Sequence, residues 1–275
     1  MGTIITLTTD FGLADAYVAA MKGVILGINP DARFVDICHT IEPQNIPRAA
    51  FVLSTVCDFF PQRTIHLVVV DPGVGSQRKA VILRTPAADF IAPDNGALSY
   101  IVQNCAGGSV IDTRQPLDTG KAEAIEITSR QYWRPTVSPT FHGRDIFAPV
   151  AAHLSLGTPL TEFGEPLDSL AVLPLSRPRQ ESYGTLVGCI LHIDNFGNLV
   201  TNIKRHNLPP GNTGVTVEVK SELINGIVDT YAMSDGLCAL IGSNEYLEIA
   251  FKDGNAGAFL NAAVGDEVKI RSSGQ

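Results

Sequence analysis

Short apolar runs alternate with helix-like segments through the first half of the chain. Residues 4–8, 34–38, 65–70 and 90–93 are mostly apolar and partly β-branched, and polar or turn-forming residues follow each of them. Runs of this length between turn residues are typical of strands that are buried on both faces. The alternation of strands and helices therefore predicts an N-terminal α/β domain with a largely parallel sheet covered by helices.

The helices between these strands have recognisable ends. The pattern at residues 16–27 stops at Asn29, because the residue before a proline disfavours helical backbone. A second helix is predicted to begin at Asn45, a favoured N-cap residue, with Pro47 just inside its first turn. A third is predicted around residues 147–154, after an extended, proline-bounded loop. These helices supply the layers that cover the predicted sheet.

The character of the chain changes at residues 173–182, which contain prolines and charges without a hydrophobic period. We interpret this segment as a linker between the N-terminal α/β domain, 1–172, and a C-terminal domain, 183–275. Short β-type runs with turns such as residues 209–212 predict a small antiparallel β-barrel or sandwich there. The predicted strands of this domain are residues 184–193, 198–203, 215–219, 226–233, 237–241, 247–251 and 268–270.

Composition limits the classes of protein that fit. Hydrophobic residues make up 45% and charged residues 17% of the 275 positions, as in a globular enzyme. The net charge of −8, with no Lys/Arg run, argues against a nucleic-acid partner. The five scattered cysteines form no CxxC pair, so they indicate neither a zinc site nor a disulfide framework and fit the reducing cytoplasm. We find neither a targeting signal nor an apolar stretch long enough for a membrane span.

The most distinctive stretch is VVVDPGVGSQRKAV, at residues 68–81. Asp71 ends an apolar run, and the proline and glycines after it form a turn that leads to Arg78. A carboxylate at the carboxyl end of a buried strand lies where α/β sheets usually bind ligands. Arg78 could fold back across the turn to hold it. A strand-ending turn with a surface ion pair explains the same residues about equally well.

Three aspartates end apolar runs in the predicted α/β domain: Asp10, Asp71 and Asp94. In a parallel sheet they would share one edge, at the mouth of a crevice. Such an edge could bind a metal ion, the hydroxyls of a sugar or a cationic substrate. Aspartate is also common in turns for local reasons, which explains any one of the three more easily than all of them.

His142 lies in a loop before a predicted helix, where a neutral imidazole could share a proton network with Asp71 and Arg78. A lone histidine is more often structural than catalytic. The other histidines show no metal-ligand spacing, which argues against a zinc hydrolase. The chain also contains no GxSxG, GxxxxGK[ST] or GxGxxG motif, so common nucleophile and phosphate-binding loops are excluded.

In the C-terminal half, DNFGN falls between two predicted strands. Phe196 offers a ring that can stack on a base, and Asn198 offers an amide that can pair with an adenine edge. A tight turn between strands explains the same sequence, so the motif alone is weak evidence for a ligand.

In combination, these segments resemble the S-adenosylmethionine hydroxide adenosyltransferase family, which is related to the fluorinating and chlorinating enzymes. In chain order the motifs are TTDFG, DICHTI, VVVDPGVGSQR, APDNG, TFHGRD, DNFGN and IGSNEYLEIA. None is decisive alone, but all of them in this order are highly specific. The resemblance implies an N-terminal α/β domain and a C-terminal β-barrel domain. It also implies a homotrimer with sites between one subunit's N-terminal domain and its neighbour's C-terminal domain.

The resemblance implies roles for individual residues as well. The catalytic set of the family corresponds to Asp71, Arg78 and His142. The implied substrate-binding residues are Asp10 for the ribose, Phe141 along the pocket, Asp194, Phe196 and Asn198 near the methionine amine and adenine, and Ser243 at the methionine carboxylate. Asn244 departs from the basic residue that follows this serine in the fluorinating branch.

The implied activity is attack of water or hydroxide on C5′ of S-adenosyl-L-methionine, which gives adenosine and L-methionine without a metal ion or redox cofactor. Intact DPGVG and FHGRD motifs favour the water-using branch over the halogenating one. Two alternatives stay open: a halide-dependent adenosyl transferase, and a non-catalytic protein that binds S-adenosylmethionine or adenosine. Halide dependence of product formation tests the first, and a single-turnover assay tests the second.

Overall fold

The structure is a computed structural model, and it describes residues 2–181, 184–209 and 214–272. The chain divides into two compact units, Met1–Pro174 and Leu175–Gln275. Each unit has its own sheet and its own buried hydrophobic cluster. None of the helices in the described ranges is both long enough and apolar enough to cross a membrane.

The N-terminal unit is built on a seven-stranded sheet with the order β2-β1-β3-β5-β4-β7-β8. Pairing is parallel from β2 through β1 and β3 to β5, and antiparallel from β5 through β4 and β7 to β8. A small sheet pairs β6 with β9. The strands are β1 (Ile4–Thr9), β2 (Arg33–Cys38), β3 (Thr64–Val69), β4 (Ala80–Arg84), β5 (Ala88–Pro93), β6 (Arg114–Pro116), β7 (Glu123–Ile127), β8 (Gly164–Leu167) and β9 (Ser169–Ala171). The predicted α/β class and the parallel core of the sheet are confirmed.

The helices of this unit follow the predicted signals. Asn45 caps its helix, since its side chain accepts a hydrogen bond from the Arg48 backbone N–H at 3.0 Å. The helices are α1 (Tyr17–Ile28), α2 (Ile46–Val56), α3 (Ser99–Asn104) and α4 (Ala148–Ser155), with 3₁₀ turns at Cys57–Phe59, Arg130–Tyr132 and Leu160–Glu162. A π-helical turn at Gly143–Phe147 precedes α4 and was not predicted.

Helices cover both faces of the sheet, and β1 and β3 are accordingly buried along nearly their whole length. On one face Ile65, Leu67 and Val69 join a buried cluster with residues of α1 and α4. On the other face Val68 and Val70 join a cluster with residues of α2 and α3. Both faces of β3 are therefore covered, and the strand leads at its carboxyl end to Asp71.

The C-terminal unit is an eight-stranded antiparallel sheet. Its path runs β14-β13-β17-β11-β12-β16-β15, and β10 pairs with β11. The path ends at β14 and β15, which contact each other, so the sheet nearly closes into a barrel, as predicted. The strands are β10 (Arg179–Gln180), β11 (Leu186–Ile193), β12 (Leu199–Lys204), β13 (Val215–Val219), β14 (Glu222–Asn225), β15 (Leu237–Ile241), β16 (Tyr246–Phe251) and β17 (Glu267–Ser272). A helix, α5 (Ala256–Leu260), and 3₁₀ turns at Arg205–Asn207 and Tyr231–Met233 complete the unit.

One strand prediction is wrong. Residues 226–233 contain a turn and a 3₁₀ helix, and the strand lies just before them, at β14. Gly226 has φ +81°, which ends β14, and after it only Val228 forms an isolated bridge, to Leu240. The β-branched composition of the segment misled the prediction, because side chains such as Met233 are exposed and have no sheet face to cover.

Two further predictions fall partly outside the described residues. Of the predicted turn at 209–212, Pro210, Gly211 and Asn212 lie outside them. Ser182, at the end of the predicted linker, and Tyr183 also lie outside, and the linker segment contains β10. The limits 1–172, 173–182 and 183–275 stay predictions.

Candidate active site

The three aspartates share one edge of the N-terminal sheet. Strands β1, β3 and β5 are parallel neighbours. Asp10 and Asp94 directly follow β1 and β5, and Asp71 lies two residues after the end of β3. Asp94 has a structural role. It accepts hydrogen bonds from Arg114 at 2.8 Å and from the Ala171 backbone at 2.7 Å, and its side chain is 3% exposed. Asp10 and Asp71 instead line a cavity. The edge therefore offers two carboxylates to a ligand rather than three.

Asp71 and Arg78 form a closely matched ion pair. Arg78 Nε donates to both carboxylate oxygens at 2.9 Å, and Nη2 donates to Oδ2 at 2.5 Å. The side chains of Asp71 and Arg78 are only 5% and 11% exposed, so water screens the pair little. The guanidinium also lies over the Phe147 ring, 5.3 Å from its centroid. Arg78 is thereby held in one orientation, and so is the carboxylate that it binds.

The turn between these two residues explains why the sequence needs glycine there. Gly75 has φ +77°, and a Cβ at this position would lie 2.5 Å from the Pro139 carbonyl oxygen. The turn therefore packs against the loop that carries His142. Backbone hydrogen bonds from Val74 to Asp71 and from Ser76 to Gly73 close it. The turn thus brings Arg78 back to Asp71 across seven residues.

His142 completes a contact that joins the two loops. Arg78 Nη2 donates to His142 Nδ1 at 2.8 Å, so Nδ1 is an acceptor and the ring proton of the neutral imidazole is on Nε2. Burial lowers the pKa of His142 below its usual value, and the charge of Arg78 lowers it further, although Asp71 and Asp145 oppose this. The imidazole is therefore neutral at physiological pH and presents one N–H donor.

A buried carboxylate fixes the loop that carries His142. Asp145 is fully buried and accepts hydrogen bonds from Arg134, Arg144 and the Ser138 backbone. These bonds tie the extended loop to the π-helical turn, whose 5-residue hydrogen bond runs from Ala148 N to Gly143 O. Asp145 is the last residue of the TFHGRD motif and was not predicted as a site residue. Its role in the structure is to anchor the loop.

The cavity beside the ion pair has a volume of about 360 Å³. Its lining includes Asp10, Phe11, Tyr17, Gln44, Asp71, Thr140, Phe141 and His142. Three aromatic rings pack along one wall. The Phe141 ring makes edge-to-face contacts with the other two, and its centroid lies 5.7 Å from that of Phe11 and 5.2 Å from that of Tyr17. The Gln44 backbone N–H donates to Asp10 Oδ2 at 2.8 Å and orients that carboxylate. Apolar walls with a few aimed polar groups are typical of small-molecule sites.

Phe11, Tyr17 and Gln44 were not predicted as site residues. Phe11 belongs to the TTDFG motif, so the motif itself was a usable signal. Tyr17 is the first residue of α1, and nothing in the helical period distinguishes it from a surface position. Gln44 contributes through its backbone, in a left-handed conformation with φ +68°, which the sequence does not reveal.

A second, larger cavity of about 790 Å³ lies at the amino ends of the same strands, near Ile4, Thr64 and Ala88. Ligands of parallel sheets bind at the carboxyl ends, so this cavity is not the expected place for chemistry. In the described ranges no group of three or more His, Cys, Asp or Glu side chains could hold a metal ion.

The C-terminal unit places three of the predicted substrate-binding residues in one turn. Asp194 Oδ1 accepts from the backbone N–H groups of Phe196 and Asn198 at 2.8 Å, and Oδ2 accepts from Asn198 Nδ2 at 2.9 Å. Phe196 is 75% exposed, so its ring is available to stack on a ligand, whereas Asn198 is nearly buried. Asp194 therefore shapes the turn whether or not it touches a substrate.

Ser243, the residue predicted to bind the methionine carboxylate, lies in a second loop of the C-terminal unit. It is exposed in the turn between β15 and β16, next to Gly242, whose backbone N–H donates to the Tyr246 carbonyl at 2.9 Å. A Cβ on Gly242 would overlap the Glu248 carboxylate, so a larger residue at that position would displace the Glu248 side chain. Tyr231 donates to the same carboxylate at 3.3 Å.

Comparisons with known proteins agree with the motifs. The N-terminal domain model of the SAM hydroxide adenosyltransferases matches residues 5–164, and the C-terminal domain model matches residues 188–269. The (R)-S-adenosyl-L-methionine hydrolase of Methanocaldococcus jannaschii is 35% identical over 281 residues, covering 97% of this chain and 95% of that protein. The hydrolase of the same name from Salinispora tropica is 34% identical and covers 97% of both chains.

Fluorinases are more distant: that of an Actinoplanes species is 28% identical and covers 82% of this chain and 79% of its own. A crystal structure of an uncharacterized conserved protein from Thermotoga maritima is 37% identical, with a TM-score of 0.86 over 98% of this chain and 100% of that one. The two family models together account for both units of the fold. The chain therefore belongs to the SAM hydroxide adenosyltransferase family.

Proposed function

We propose that this protein is an S-adenosyl-L-methionine hydrolase that transfers the adenosyl group to water or hydroxide, giving adenosine and L-methionine. The observation that carries the proposal is the contact of Arg78 with both Asp71 and His142 at the wall of the cavity. The relatives that cover nearly the whole chain at 33–35% identity are named hydrolases, and the fluorinases are more distant.

Asp71 orients the attacking water in this proposal. Arg78 donates to the lone pairs on one side of the Asp71 carboxylate. Asp71 also lines the cavity, where a water can donate to its carboxylate. The Nε2–H of neutral His142 donates to a lone pair of the same water. The other lone pair is then free to attack C5′, while Asp71 is placed to accept the proton.

The substrate is a sulfonium cation, and two carboxylates at the cavity favour positive charge. Asp10 accepts hydrogen bonds from both ribose hydroxyls, and the wall of Phe11, Tyr17 and Phe141 packs against apolar parts of the substrate. This fixes C5′ in line with the water and the leaving sulfur. Such positioning lowers reaction barriers by roughly 7–11 kcal/mol. No metal ion or other cofactor is part of the proposed step.

The C-terminal unit supplies the rest of the substrate site. Phe196 stacks on the adenine, Asn198 and Asp194 lie near the adenine and the methionine amine, and Ser243 binds the methionine carboxylate. The exposure of Phe196 and Ser243 supports this assignment. We propose further that three copies assemble, with the C-terminal domain of one subunit completing the site of its neighbour.

The active form is therefore a homotrimer in this proposal, and it works in the cytoplasm. The five cysteines are all free, which supports a reducing compartment. Light scattering should give a mass of three chains. A monomer that keeps full specific activity at high dilution would contradict the shared site.

The defining experiment is incubation with S-adenosyl-L-methionine in ¹⁸O-water, with and without chloride or fluoride, followed by chromatography and mass analysis. We expect adenosine labelled at the 5′-hydroxyl, equal amounts of methionine, and no dependence on halide. A 5′-halogenated nucleoside would support the halide-dependent alternative. Tight binding of the substrate without a first turnover would support the non-catalytic one.

The route is tested by a single turnover with a chirally deuterated C5′. In ¹⁸O-water, direct attack inverts the configuration at C5′ and leaves no ¹⁸O in Asp71. A covalent ester on Asp71 that water cleaves at C5′ would give retention, and cleavage at the carboxyl carbon would place the label in Asp71. Cleavage at the carboxyl carbon would also give inversion at C5′. We therefore expect inversion together with an Asp71 that carries no ¹⁸O, because Arg78 stabilises the carboxylate and makes it a poor nucleophile.

A further inference from the structure

The DICHTI segment, residues 36–41, has no part in the proposed chemistry, yet it holds the buried His39. The His39 side chain is 4% exposed and lies just after β2, beside the end of β1. His39 does not reach the cavity lining. Its contacts nevertheless reach Thr9, which precedes Asp10, and Gly12, two residues after Asp10.

The first contact is a side-chain hydrogen bond across the sheet. His39 Nδ1 lies 2.9 Å from the Thr9 hydroxyl oxygen, and both groups are buried. The Thr9 hydroxyl oxygen in turn accepts from the Phe11 backbone N–H at 3.3 Å. The second contact is between backbones: Gly12 N–H donates to the His39 carbonyl at 2.7 Å. The loop that carries Asp10 is therefore held on both sides.

The direction of these hydrogen bonds follows from the outer partner of the imidazole. His39 Nε2 lies 3.0 Å from Asp36 Oδ1 and makes no aligned hydrogen bond among the described residues, but the negative charge of Asp36 favours a proton on that nitrogen. Lys22 of α1 donates to the other oxygen of Asp36 at 2.6 Å and holds it in place. Nδ1 is then an acceptor, and the Thr9 O–H donates to it. The lone pairs of the Thr9 hydroxyl oxygen can then accept the hydrogen bond from the Phe11 N–H.

We propose that Thr9 and His39 position Asp10 for the ribose, and so set the affinity of the site for the two ribose hydroxyls. This inference rests on the proposed function, in which Asp10 binds the ribose. Asp10 has only one other anchor in the described ranges, the Gln44 backbone N–H. Without the Thr9 hydroxyl, Phe11 N–H loses its partner and the backbone on either side of Asp10 relaxes. Thr9 and His39 are positioning residues in this scheme, because neither touches the substrate.

The chain supplies a matched control beside Thr9. Thr8 is also fully buried, but its hydroxyl has no hydrogen-bond partner among the described residues. Thr8→Val and Thr9→Val therefore make the same chemical change one residue apart, and only the second removes the bond to His39. Thr9→Ser keeps the hydroxyl and serves as the conservative rescue.

The experiment measures binding of adenosine and of 2′,3′-dideoxyadenosine by calorimetry to the full-length wild type and to each variant. We expect Thr9→Val to weaken adenosine binding about 3- to 10-fold, the value of one net hydrogen bond, and to leave dideoxyadenosine binding unchanged. Thr8→Val and Thr9→Ser should match the wild type with both ligands. In turnover, Thr9→Val should raise KM more than it lowers kcat.

A second pair tests the same inference from the histidine. His39→Asn keeps an acceptor near the position of Nδ1, and His39→Ala removes it. We expect the alanine variant to lose selectivity for adenosine over dideoxyadenosine and the asparagine variant to retain most of it. Equal losses for both ligands in Thr9→Val and His39→Ala, or no loss at all, would overturn the inference. A wild type that does not distinguish the two ligands would instead refute the ribose role of Asp10 and with it this part of the proposed function.

Discussion

Two neighbouring strands, β3 and β5, each end in an aspartate that an arginine pairs with, yet only one pair opens onto the cavity. Asp71 is bound by Arg78 from the turn directly after its own strand. Asp94 is bound by Arg114, at the start of β6, and by the backbone of Ala171, at the end of β9. Similar ion pairs at one sheet edge thus have different roles: one lies at the proposed reaction centre, and the other is a structural joint.

The difference lies in where the hydrogen-bond donors come from. Arg114 also donates to the hydroxyl and the carbonyl of Ser169, so Asp94 and Arg114 together hold the β6–β9 sheet against the edge. This leaves Asp94 enclosed by its own chain. Among the described residues, Asp71 receives side-chain donors from Arg78 alone, and it also lines the cavity. A carboxylate that is held on one side only is the one that can act on a ligand.

The largest effect is expected from Asp71→Asn. The amide keeps the size of the side chain but cannot accept the proton of the attacking water, so kcat should fall about 10²- to 10⁴-fold. Steady-state rates of adenosine formation measure this loss, and calorimetry measures whether the substrate still binds. Asp94→Asn is the matched control, because it makes the same change at the neighbouring strand end. If both variants lost activity alike, the distinction between the two pairs would fail.

Asp94→Asn should act on stability instead. Removal of the carboxylate charge weakens the hydrogen bond to Arg114, and the asparagine NH₂ group lies opposite another hydrogen-bond donor. Hydrogen bonds to charged groups contribute about 1.5–3 kcal/mol each. Because Arg114 is about a third exposed, we expect a loss of about 2 kcal/mol in the free energy of unfolding. Urea unfolding measures it. A variant that is as stable as the wild type would show that the joint is not needed.

The middle of β3 sharpens the contrast, because a histidine there forms no ion pair among the described residues. His66 is fully buried, its Nδ1 lies 2.8 Å from the Thr6 hydroxyl, and its ring stacks on Phe90. In the described ranges its Nε2 has no hydrogen-bond partner. Burial lowers the pKa of His66 to about 4, which the charge of Asp58 opposes.

This shift predicts loss of stability in acid. The unfolded chain, with a histidine pKa near 6.5, binds the proton more readily than the folded protein, so stability falls as the pH drops from about 6.5 towards 4. Between pH 7 and pH 5 the contribution of His66 should fall by about 2 kcal/mol. Unfolding at the two pH values measures it, with His66→Phe as the control that lacks the titrating group. An equal pH dependence in the control would assign it to other groups.

The sequence predicted more of the fold than of the contrast between the two ion pairs. The cap at Asn45 and the strand before Asp71 follow from local rules, and the structure contains both. The seven motifs gave the family. The role of Asp94 depends on Arg114 and on Ala171, which is 77 residues away in the chain, and no local pattern records a contact at that distance. The π-helical turn after His142 has no residue signature, so it was also missed.

The smallest effect is expected at His142, and it concerns pH. Burial and the charge of Arg78 lower the pKa of this histidine, so the neutral form persists below pH 6.5. Once protonated, Nδ1–H would face the donating Nη2 of Arg78, and the contact that joins the two loops would be lost. The activity of the wild type should therefore be constant from pH 8 to about 6.5 and fall only in more acidic solution.

His142→Asn tests this assignment. The asparagine oxygen can still accept from Arg78, but the N–H that reaches the water is displaced, so we expect kcat to fall only about tenfold. The acidic fall in kcat should disappear with the imidazole, because asparagine does not titrate. The pH profiles of both proteins are compared above the range in which acid unfolding begins. If the same acidic fall remained in the variant, it would belong to another group, and His142 would hold the loop without taking part in the proton balance of the site.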